Sequence, residues 1–301
     1  MKIVITGSIG NIGKPLTQEL VREGHLVTVI SSKADRQGAI EALGAKAAIG
    51  SMQDIDFLSA AFKGADIVYL MEAWESIGSL SDNTIDFNAG MRQIGYNYKE
   101  AIERSGLKRI VHLSSFGAHA PKGFGSLVVH HDVEHILRQL PDEVSIKFMR
   151  PASFYTNLFM SIHHIKERSA FVSSYGGDKK EPWVSPLDIA ATIAEEMKLP
   201  FNGKEIRYIA SEEISPNEIA KTIGEAIGKP DLKWLIISDE QLLNGMLGAG
   251  YNTEICKGLA EMYASHRGGI VFEDYYRHKP VLGKVKFKDF AKDFAKVFDQ
   301  Q

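Results

Sequence analysis

Short apolar runs alternate with segments of helical periodicity along the first 150 residues. Residues 2–6 form an apolar run rich in β-branched side chains, which predicts a buried strand. In residues 15–23, Leu16, Leu20 and Val21 recur at helical spacing. The same alternation predicts five further strands, at residues 26–30, 45–49, 66–71, 108–113 and 144–149. Strands that alternate with helices in this way are typical of an α/β fold with a doubly wound parallel sheet.

After residue 151 the alternation becomes less regular. Helical periodicity is found in residues 154–165, 186–197 and 216–227, and strand-like runs in 205–210 and 232–237. Residues 287–298 carry four phenylalanines at helical spacing, a pattern typical of a buried helix face. We therefore predict a larger domain of residues 1–153 and a smaller α+β lobe of residues 154–301 packed on it, with interleaved boundaries left open.

Three glycines follow the first predicted strand at three-residue spacing and lead into the first helix. Gly7 permits a tight turn, Gly10 lets a pyrophosphate approach the backbone, and Gly13 allows close helix packing. Free amides at the start of the helix favour an anion. The predicted dinucleotide contacts in this loop are Gly7, Ser8, Ile9, Gly10, Asn11, Ile12 and Gly13. The usual fingerprint is G-x-G-x-x-G, so the position between strand and helix carries the prediction.

Two other interpretations of this loop are a Walker loop and a plain glycine turn. A Walker loop is excluded, because Pro15 stands where Ser or Thr would bind magnesium, and the glycine spacing differs by one residue. A glycine turn that merely joins a strand to a helix remains the alternative to a binding loop.

The residues after the second predicted strand indicate which dinucleotide is bound. An acidic residue there would bind the ribose 2′-hydroxyl of NAD. This chain instead has Ser31, Ser32 and Lys33, followed by Arg36. Hydroxyls and cations suit a 2′-phosphate, so NADP(H) is favoured over NAD(H). The alternative is that both cations are ordinary surface charges and that Asp35 faces the ribose.

Further contacts are expected where later strands end, because ligands bind at the carboxyl edge of open α/β sheets. The predicted cofactor contacts at this edge are Leu70, Met71, Ser114, Ser115 and Pro151. The predicted walls of a substrate site, assigned from their position in the chain, are Trp74, Phe116, Phe154, Asn157 and Tyr175.

Composition and charge limit the classes of function. A net charge of −3 does not favour binding to nucleic acid. No apolar run approaches the length of a membrane span. The first predicted strand begins at residue 2, so no signal peptide is expected. The single cysteine, Cys256, excludes an internal disulfide and suits a reducing cytoplasm, where we expect the protein. Cys256 lies in a helical pattern, which predicts a buried thiol rather than a nucleophile.

The chain resembles the NmrA-like group of atypical short-chain dehydrogenases/reductases, which includes bacterial quinone reductases and redox-sensing regulators. The resemblance covers about the first 210 residues. It rests on the glycine motif, on the serines at 114–115, on residues 150–157, which are similar to the pattern R-P-x-x-F-x-x-N, and on residues 184–190. It implies a Rossmann-like fold with a small substrate lobe and an NAD(P) cofactor.

The chain departs from the catalytic pattern of other reductases in this superfamily. Those enzymes use Tyr-x-x-x-Lys, in which the tyrosine donates a proton and the lysine lowers its pKa. No such pair lies between the fifth and sixth predicted strands. Tyr175/Lys179 and Tyr275/Lys279 match the spacing, but both lie in the predicted C-terminal lobe. The pattern therefore does not predict proton donation by a tyrosine.

The helix expected to carry that pair holds histidines instead. His130 and His131 are weak candidates for the proton donor, and packing or surface histidines are the alternative. His131 and His135 lie one helical turn apart, but no third ligand is identifiable, so no metal site is predicted.

Two functions follow from this pattern. The first is an NAD(P)H-dependent oxidoreductase that transfers hydride directly to a quinone-like or conjugated carbonyl acceptor, which needs little help from a protein acid. The alternative is a non-catalytic NAD(P)-binding redox sensor that acts through a partner protein. The expected ligand besides the cofactor is a small-molecule acceptor, and a homodimer or a protein partner stays open.

Overall fold

The computed structural model describes residues 1–300. The strands are β1 (Lys2–Ile5), β2 (Leu26–Ser31), β3 (Lys46–Ile49), β4 (Ile67–Leu70), β5 (Arg109–Leu113), β6 (Ser145–Pro151), β7 (Ser153–Phe154), β8 (Ala170–Ser173), β9 (Glu181–Val184), β10 (Lys204–Ile209), β11 (Glu212–Ile214) and β12 (Lys233–Ile236). The α-helices are α1 (Gly13–Arg22), α2 (Gln37–Glu41), α3 (Ile55–Phe62), α4 (Phe87–Ser105), α5 (Val128–Leu137), α6 (Ile162–Arg168), α7 (Pro186–Glu196), α8 (Pro216–Ala226), α9 (Asp239–Gly248), α10 (Thr253–Gly268), α11 (Glu273–Arg277) and α12 (Phe287–Gln300). Short 3₁₀ turns occupy Ala34–Arg36, Trp74–Ser76, Gly125–Leu127, Tyr155–Ser161 and Ile270–Phe272.

Seven parallel strands form the central sheet in the order β3-β2-β1-β4-β5-β6-β10. Val4 of β1 lies beside Thr28 on one side and Val68 on the other. From β1 the chain adds β2 and β3 on one side of the sheet, and then adds β4, β5 and β6 on the other side. The strand order therefore reverses between β1 and β4, and open α/β sheets bind ligands at such a point. The predicted doubly wound, Rossmann-like parallel sheet is thus confirmed.

Helices cover both faces of the sheet because successive strand residues point to opposite sides. On one face, Ile3 and Ile5 pack with Leu16 of α1, and α7 packs beside α1. On the other face, Val4 and Val68 pack with α3, α4 and α5, which lie side by side. Among residues 1–300, no helix is long and apolar enough to cross a membrane.

The seventh strand, β10, comes from the part of the chain after the predicted domain boundary. Ile206 of β10 lies beside Phe148 of β6, and the pairing is parallel along the whole strand. The sequence pattern predicts a strand at residues 205–210 but does not predict that it pairs with β6, because periodicity reports only on local structure. The division at residue 153 stays a prediction.

The remaining C-terminal elements form a second core. The phenylalanines of α12 pack against Tyr155, Phe159 and α8, as the helical stripe predicts. The predicted helix at residues 154–165 is wrong at its beginning. Ser153 and Phe154 instead form β7 and pair with Trp183 and Val184 of β9, so a distant strand overrides the local helical pattern.

Candidate functional site

The glycine loop between β1 and α1 is tightly packed at both ends. Gly7 has a φ of 82°, and a Cβ atom there would overlap the sulfur of Met71. A Cβ at Gly13 would overlap the carbonyl oxygen of Ser8. The amide of Ser8 donates a 3.0 Å hydrogen bond to the carbonyl of Ile30 at the end of β2. Glycine at positions 7 and 13 is therefore required by the fold of the loop itself.

Gly10, in the middle of the same loop, is different. It is exposed, and a Cβ built on it meets no atom within 4 Å. Ile12, the N-cap of α1, provides no side-chain hydrogen bond to the first turn. The loop thus combines open space with helix amides that have no side-chain cap, an arrangement suited to an anion.

A cavity of about 160 Å³ lies beside this loop. It is lined by Gly7, Ser8, Ile30, Ser31, Ser32, Lys33, Gly50, Ser51, Met52, Ala73, Glu75 and Ser76. Ser8 Oγ donates to Ser31 Oγ at 3.1 Å, and the amide of Lys33 donates to Ser31 Oγ at 3.2 Å. The side chain of Lys33 is exposed and Arg36 is half-buried. Within residues 1–300, neither cation forms an ion pair with a carboxylate.

A larger cavity of about 370 Å³ lies between the sheet edge and the C-terminal elements. All five predicted substrate walls line it, namely Trp74, Phe116, Phe154, Asn157 and Tyr175. Ser115 and His130 line it as well. Its wall is otherwise mainly aromatic and aliphatic. Trp74 lines this cavity, whereas Ala73, Glu75 and Ser76 on either side of it line the smaller one.

The other predicted site residues lie close to the loop and the sheet edge without lining either cavity. Leu70 is buried in β4, and the Met71 carbonyl accepts a 2.6 Å hydrogen bond from the Tyr98 hydroxyl. The carbonyl of Pro151 accepts a 3.0 Å hydrogen bond from the amide of Phe116. Ile9, Asn11 and Ile12 belong to the loop described above, where Ile9 is half-buried, Asn11 exposed and Ile12 buried.

Ser114 belongs to a buried charged network below this edge. Its hydroxyl donates to Glu134 Oε1 at 2.6 Å. Arg150 donates to both oxygens of Glu134, each at 2.8 Å, and also to the hydroxyl of Tyr208 at 3.1 Å and to Asp274 Oδ2 at 3.3 Å. Burial acts to raise the pKa of Glu134, but the hydrogen bonds and charge of Arg150 outweigh it, so the pKa lies below its ordinary value. The network joins the ends of β5 and β6 to α5.

The two candidate histidines of α5 differ in position. His130 lines the larger cavity, and its Nδ1 atom is buried without a partner in the described chain. Burial lowers the pKa of His130, which keeps its ring neutral at neutral pH. His131 does not line the cavity, and its Nδ1 lies 3.3 Å from Asp132 Oδ1. In residues 1–300, no three His, Cys, Asp or Glu side chains are grouped to bind a metal ion.

Several cavity residues were missed by sequence reasoning. They come from β9, β12 and α10 and include Trp183, Trp234, Leu259, Met262, Tyr263 and His266. These positions look like ordinary core residues of strands and helices, and no local motif distinguishes them. Only the packing of α10 against the 3₁₀ turn at Gly125–Leu127 brings its residues to the cavity.

Cys256, on the same helix, is buried as predicted, and burial raises the pKa of its thiol.

The sheet order and the glycine loop between β1 and α1 define a Rossmann-like type of fold. The chain belongs to the NmrA-like family, which matches residues 1–269. The resemblance carried by the glycine motif and by residues 150–157 is thereby confirmed.

Solved structures with this fold include enzymes. The Citrobacter sp. triphenylmethane reductase superposes with a TM-score of 0.77 at 19% identity, covering 98% of this chain and 100% of that one. The Escherichia coli NADPH-dependent quinone oxidoreductase in complex with NADPH has a TM-score of 0.75 at 18% identity, covering 97% and 99%. A Staphylococcus aureus nucleoside-diphosphate-sugar epimerase has a TM-score of 0.74 at 17% identity, covering 97% and 100%. At such identities the likeness establishes the fold alone.

One curated relative is similar over a shorter region. The sterol demethylase protein B of Methylococcus capsulatus is 29% identical over 118 residues, which is 39% of this chain and 35% of that protein. The chain therefore matches about a third of the length of this relative.

Proposed function

We propose that this protein is an NAD(P)H-dependent reductase that transfers hydride directly to a quinone-like or other conjugated acceptor. The observation that carries the proposal is the aromatic cavity of about 370 Å³, which meets the smaller cavity beside the glycine loop at one short segment: Trp74 lines the larger cavity, and its neighbours Ala73 and Glu75 line the smaller one. Ligand sites for small molecules are typically apolar cavities of about this size, with a few polar groups. A sensor that only binds a dinucleotide has no need of a second cavity at this position.

The residues of the glycine loop fit a dinucleotide. Open space at Gly10 and the uncapped start of α1 suit its pyrophosphate. Ser31, Ser32 and Lys33 line the smaller cavity, and Arg36 follows on the next turn, so hydroxyls and cations are available to a ribose 2′-phosphate. When bound, a reduced nicotinamide supplies a hydride. The NADP(H) complexes of the Citrobacter and E. coli reductases support the same preference.

The walls of the larger cavity suit a flat conjugated acceptor. Phe116 stacks on Phe272 with ring centroids 5.2 Å apart, and Trp234 stacks on Phe171 at 5.1 Å, so the rings are held in place before a ligand enters. Such walls orient an aromatic ligand and exclude water from it. A conjugated acceptor spreads the charge that remains after hydride addition.

The test is a panel of quinones, enones and cationic dyes assayed for consumption of NADPH. We expect turnover with at least one class, and Leu259→Trp, which fills the cavity from α10, should raise the acceptor KM at least about tenfold while leaving NADPH binding unchanged. Glu261→Trp is the matched control, because this exposed residue lies on the same helix outside the cavity. No turnover by the wild type, together with saturable NADPH binding, would favour the redox sensor.

The preference for NADPH over NADH is expected to depend on Lys33 and Arg36. Replacing both Lys33 and Arg36 with serine should weaken NADPH binding about tenfold to a hundredfold, because hydrogen bonds to charged groups contribute about 1.5–3 kcal/mol. NADH lacks the 2′-phosphate, so its dissociation constant should change far less. Titrations with both cofactors measure the ratio, and Lys63→Ser, an exposed lysine outside both cavities, is the control. An equal loss for NADH and NADPH would contradict the assignment.

A further inference from the structure

A buried histidine–carboxylate pair lies in the wall of the larger cavity. His266 near the end of α10 is 3% exposed, and Glu181 at the start of β9 is 4% exposed. Nδ1 of His266 lies 3.0 Å from Glu181 Oε2. A carboxylate at this distance holds the proton on Nδ1 and fixes the orientation of the ring. The 85 residues between the two positions make the pair invisible to local sequence patterns.

The second ring nitrogen of His266 is unused. Nε2 is buried and has no hydrogen-bond partner in the described chain. Buried polar atoms are nearly always paired, so an unpaired one in a cavity wall indicates a group that bonds to a ligand. Nε1 of Trp183, in the same wall, is also buried without a partner.

The surroundings place the His266 ring beside the expected acceptor position. Its centroid is 4.5 Å from that of Tyr175 and 5.9 Å from that of Phe116, which follows β5 at the sheet edge. Two of the sequence-predicted substrate walls therefore contact this histidine.

We propose that His266 donates the proton that completes reduction of the acceptor, with Glu181 as its positioning residue. This inference rests on the proposed reductase function. Hydride addition to the β-carbon of an enone brings two electrons and leaves an enolate oxygen. The Nε2–H bond of the His266 imidazolium breaks, its proton forms an O–H bond with that oxygen, and the electron pair stays on Nε2. Water then reprotonates the neutral ring.

The other titratable groups near His266 are poorer donors. Burial raises the pKa of Tyr175 well above its ordinary value and raises the pKa of Tyr263, so neither phenol gives up its proton readily. His130, which also lines the cavity, has a lowered pKa because of burial and is neutral. Arg267 turns away and pairs with Asp239, with contacts of 2.6 Å. Glu181 is thus the charged group that acts on His266 directly.

The experiment compares acceptors that differ in their need for a proton. Reduction of a cationic triphenylmethane dye neutralises a carbocation and consumes hydride alone, whereas an enone needs hydride and a proton. In His266→Gln, kcat for the enone should fall about 10²–10⁴-fold, the usual range for a general acid, while dye reduction changes less than about threefold. His163→Gln, an exposed histidine of α6, is the control and should leave both rates unchanged. Equal losses for both acceptors, or no loss for the enone, would overturn the proposal.

The role of Glu181 is tested by comparing kcat and KM for the two acceptors. Glu181 acts on the acceptor only through the His266 ring, so Glu181→Gln should lower kcat for the enone at least about tenfold and leave its KM unchanged. Dye reduction should change less than about threefold. A merely structural role would instead lower both rates together, and that result would count against a positioning residue.

A binding measurement tests without turnover whether His266 donates a proton to a ligand in the cavity. Titration of 4-nitrophenol into the wild type, followed by absorbance, should show that the bound probe ionises at lower pH than the free probe, because its phenolate accepts a hydrogen bond from protonated His266. His266→Gln should abolish that shift. Identical spectra in both proteins, or no binding by the wild type, would refute the inference. If the wild type reduces no acceptor at all, the proposed function fails, and this titration still decides the role of His266.

Discussion

Replacing Gly10 with tryptophan is expected to abolish NADPH binding without unfolding the protein. A Cβ at Gly10 meets no atom within 4 Å, so the backbone tolerates a side chain at this position. The indole ring would occupy the open space in front of α1, where helix amides are free of side-chain caps and suit a pyrophosphate. Loss of that site should weaken binding at least about a hundredfold, comparable to losing two charge-assisted hydrogen bonds.

NADPH fluorescence on titration with protein measures this effect, and urea unfolding checks the fold. Gly245→Trp is the matched control, because Gly245 lies on the exposed helix α9 and its built Cβ is equally free of neighbours. That variant should bind NADPH as the wild type does. Unchanged affinity in Gly10→Trp would show that the glycine loop is only a turn, and it would remove the basis of the proposed function.

The largest effect on stability is expected from Arg150→Met. Arg150 and Glu134 are both buried, and removing the guanidinium leaves a carboxylate without its partner in the core. Breaking a buried pair in this way costs about 3–5 kcal/mol. Urea unfolding at neutral pH measures the loss. Arg104→Met is the control, because its contacts with Asp56 and Glu100 are at the surface, where solvent screens them and they contribute little to stability.

The same variant should respond to pH in a defined direction. The pKa of Glu134 is lowered in the folded protein, so the stability that the ionised pair contributes is fully present above the unfolded value of about 4.3. It is lost as pH falls through the folded pKa. In Arg150→Met the isolated carboxyl protonates more easily, so the difference from the wild type should shrink at about pH 3.5. A constant difference across this range would contradict the assignment of the effect to the charge of Glu134.

Much of the site was predictable because it lies at the ends of strands. A strand ending at Leu113 and another ending at Pro151 must bring the following residues to one edge of a parallel sheet. For this reason Trp74, Phe116 and Phe154 meet in one cavity although they are far apart in the chain. Tyr175 lines the same cavity but follows β8, which belongs to a separate sheet. The same reasoning could not separate Ser115, which lines the cavity, from Ser114, whose hydroxyl is taken by Glu134.

The sequence alone determined the fold class, the glycine loop and the carboxyl edge of the sheet, because these depend on periodicity and glycine spacing within about 30 residues. Tertiary structure decided the place of β10, the short strand at Ser153–Phe154 and the contact between His266 and Glu181. Each of these depends on which distant segments pack together, since pairing partners and buried hydrogen bonds leave no trace in a local pattern. The same limit applies to the buried pair of Glu134 and Arg150, which lie on different elements and meet only in the folded chain.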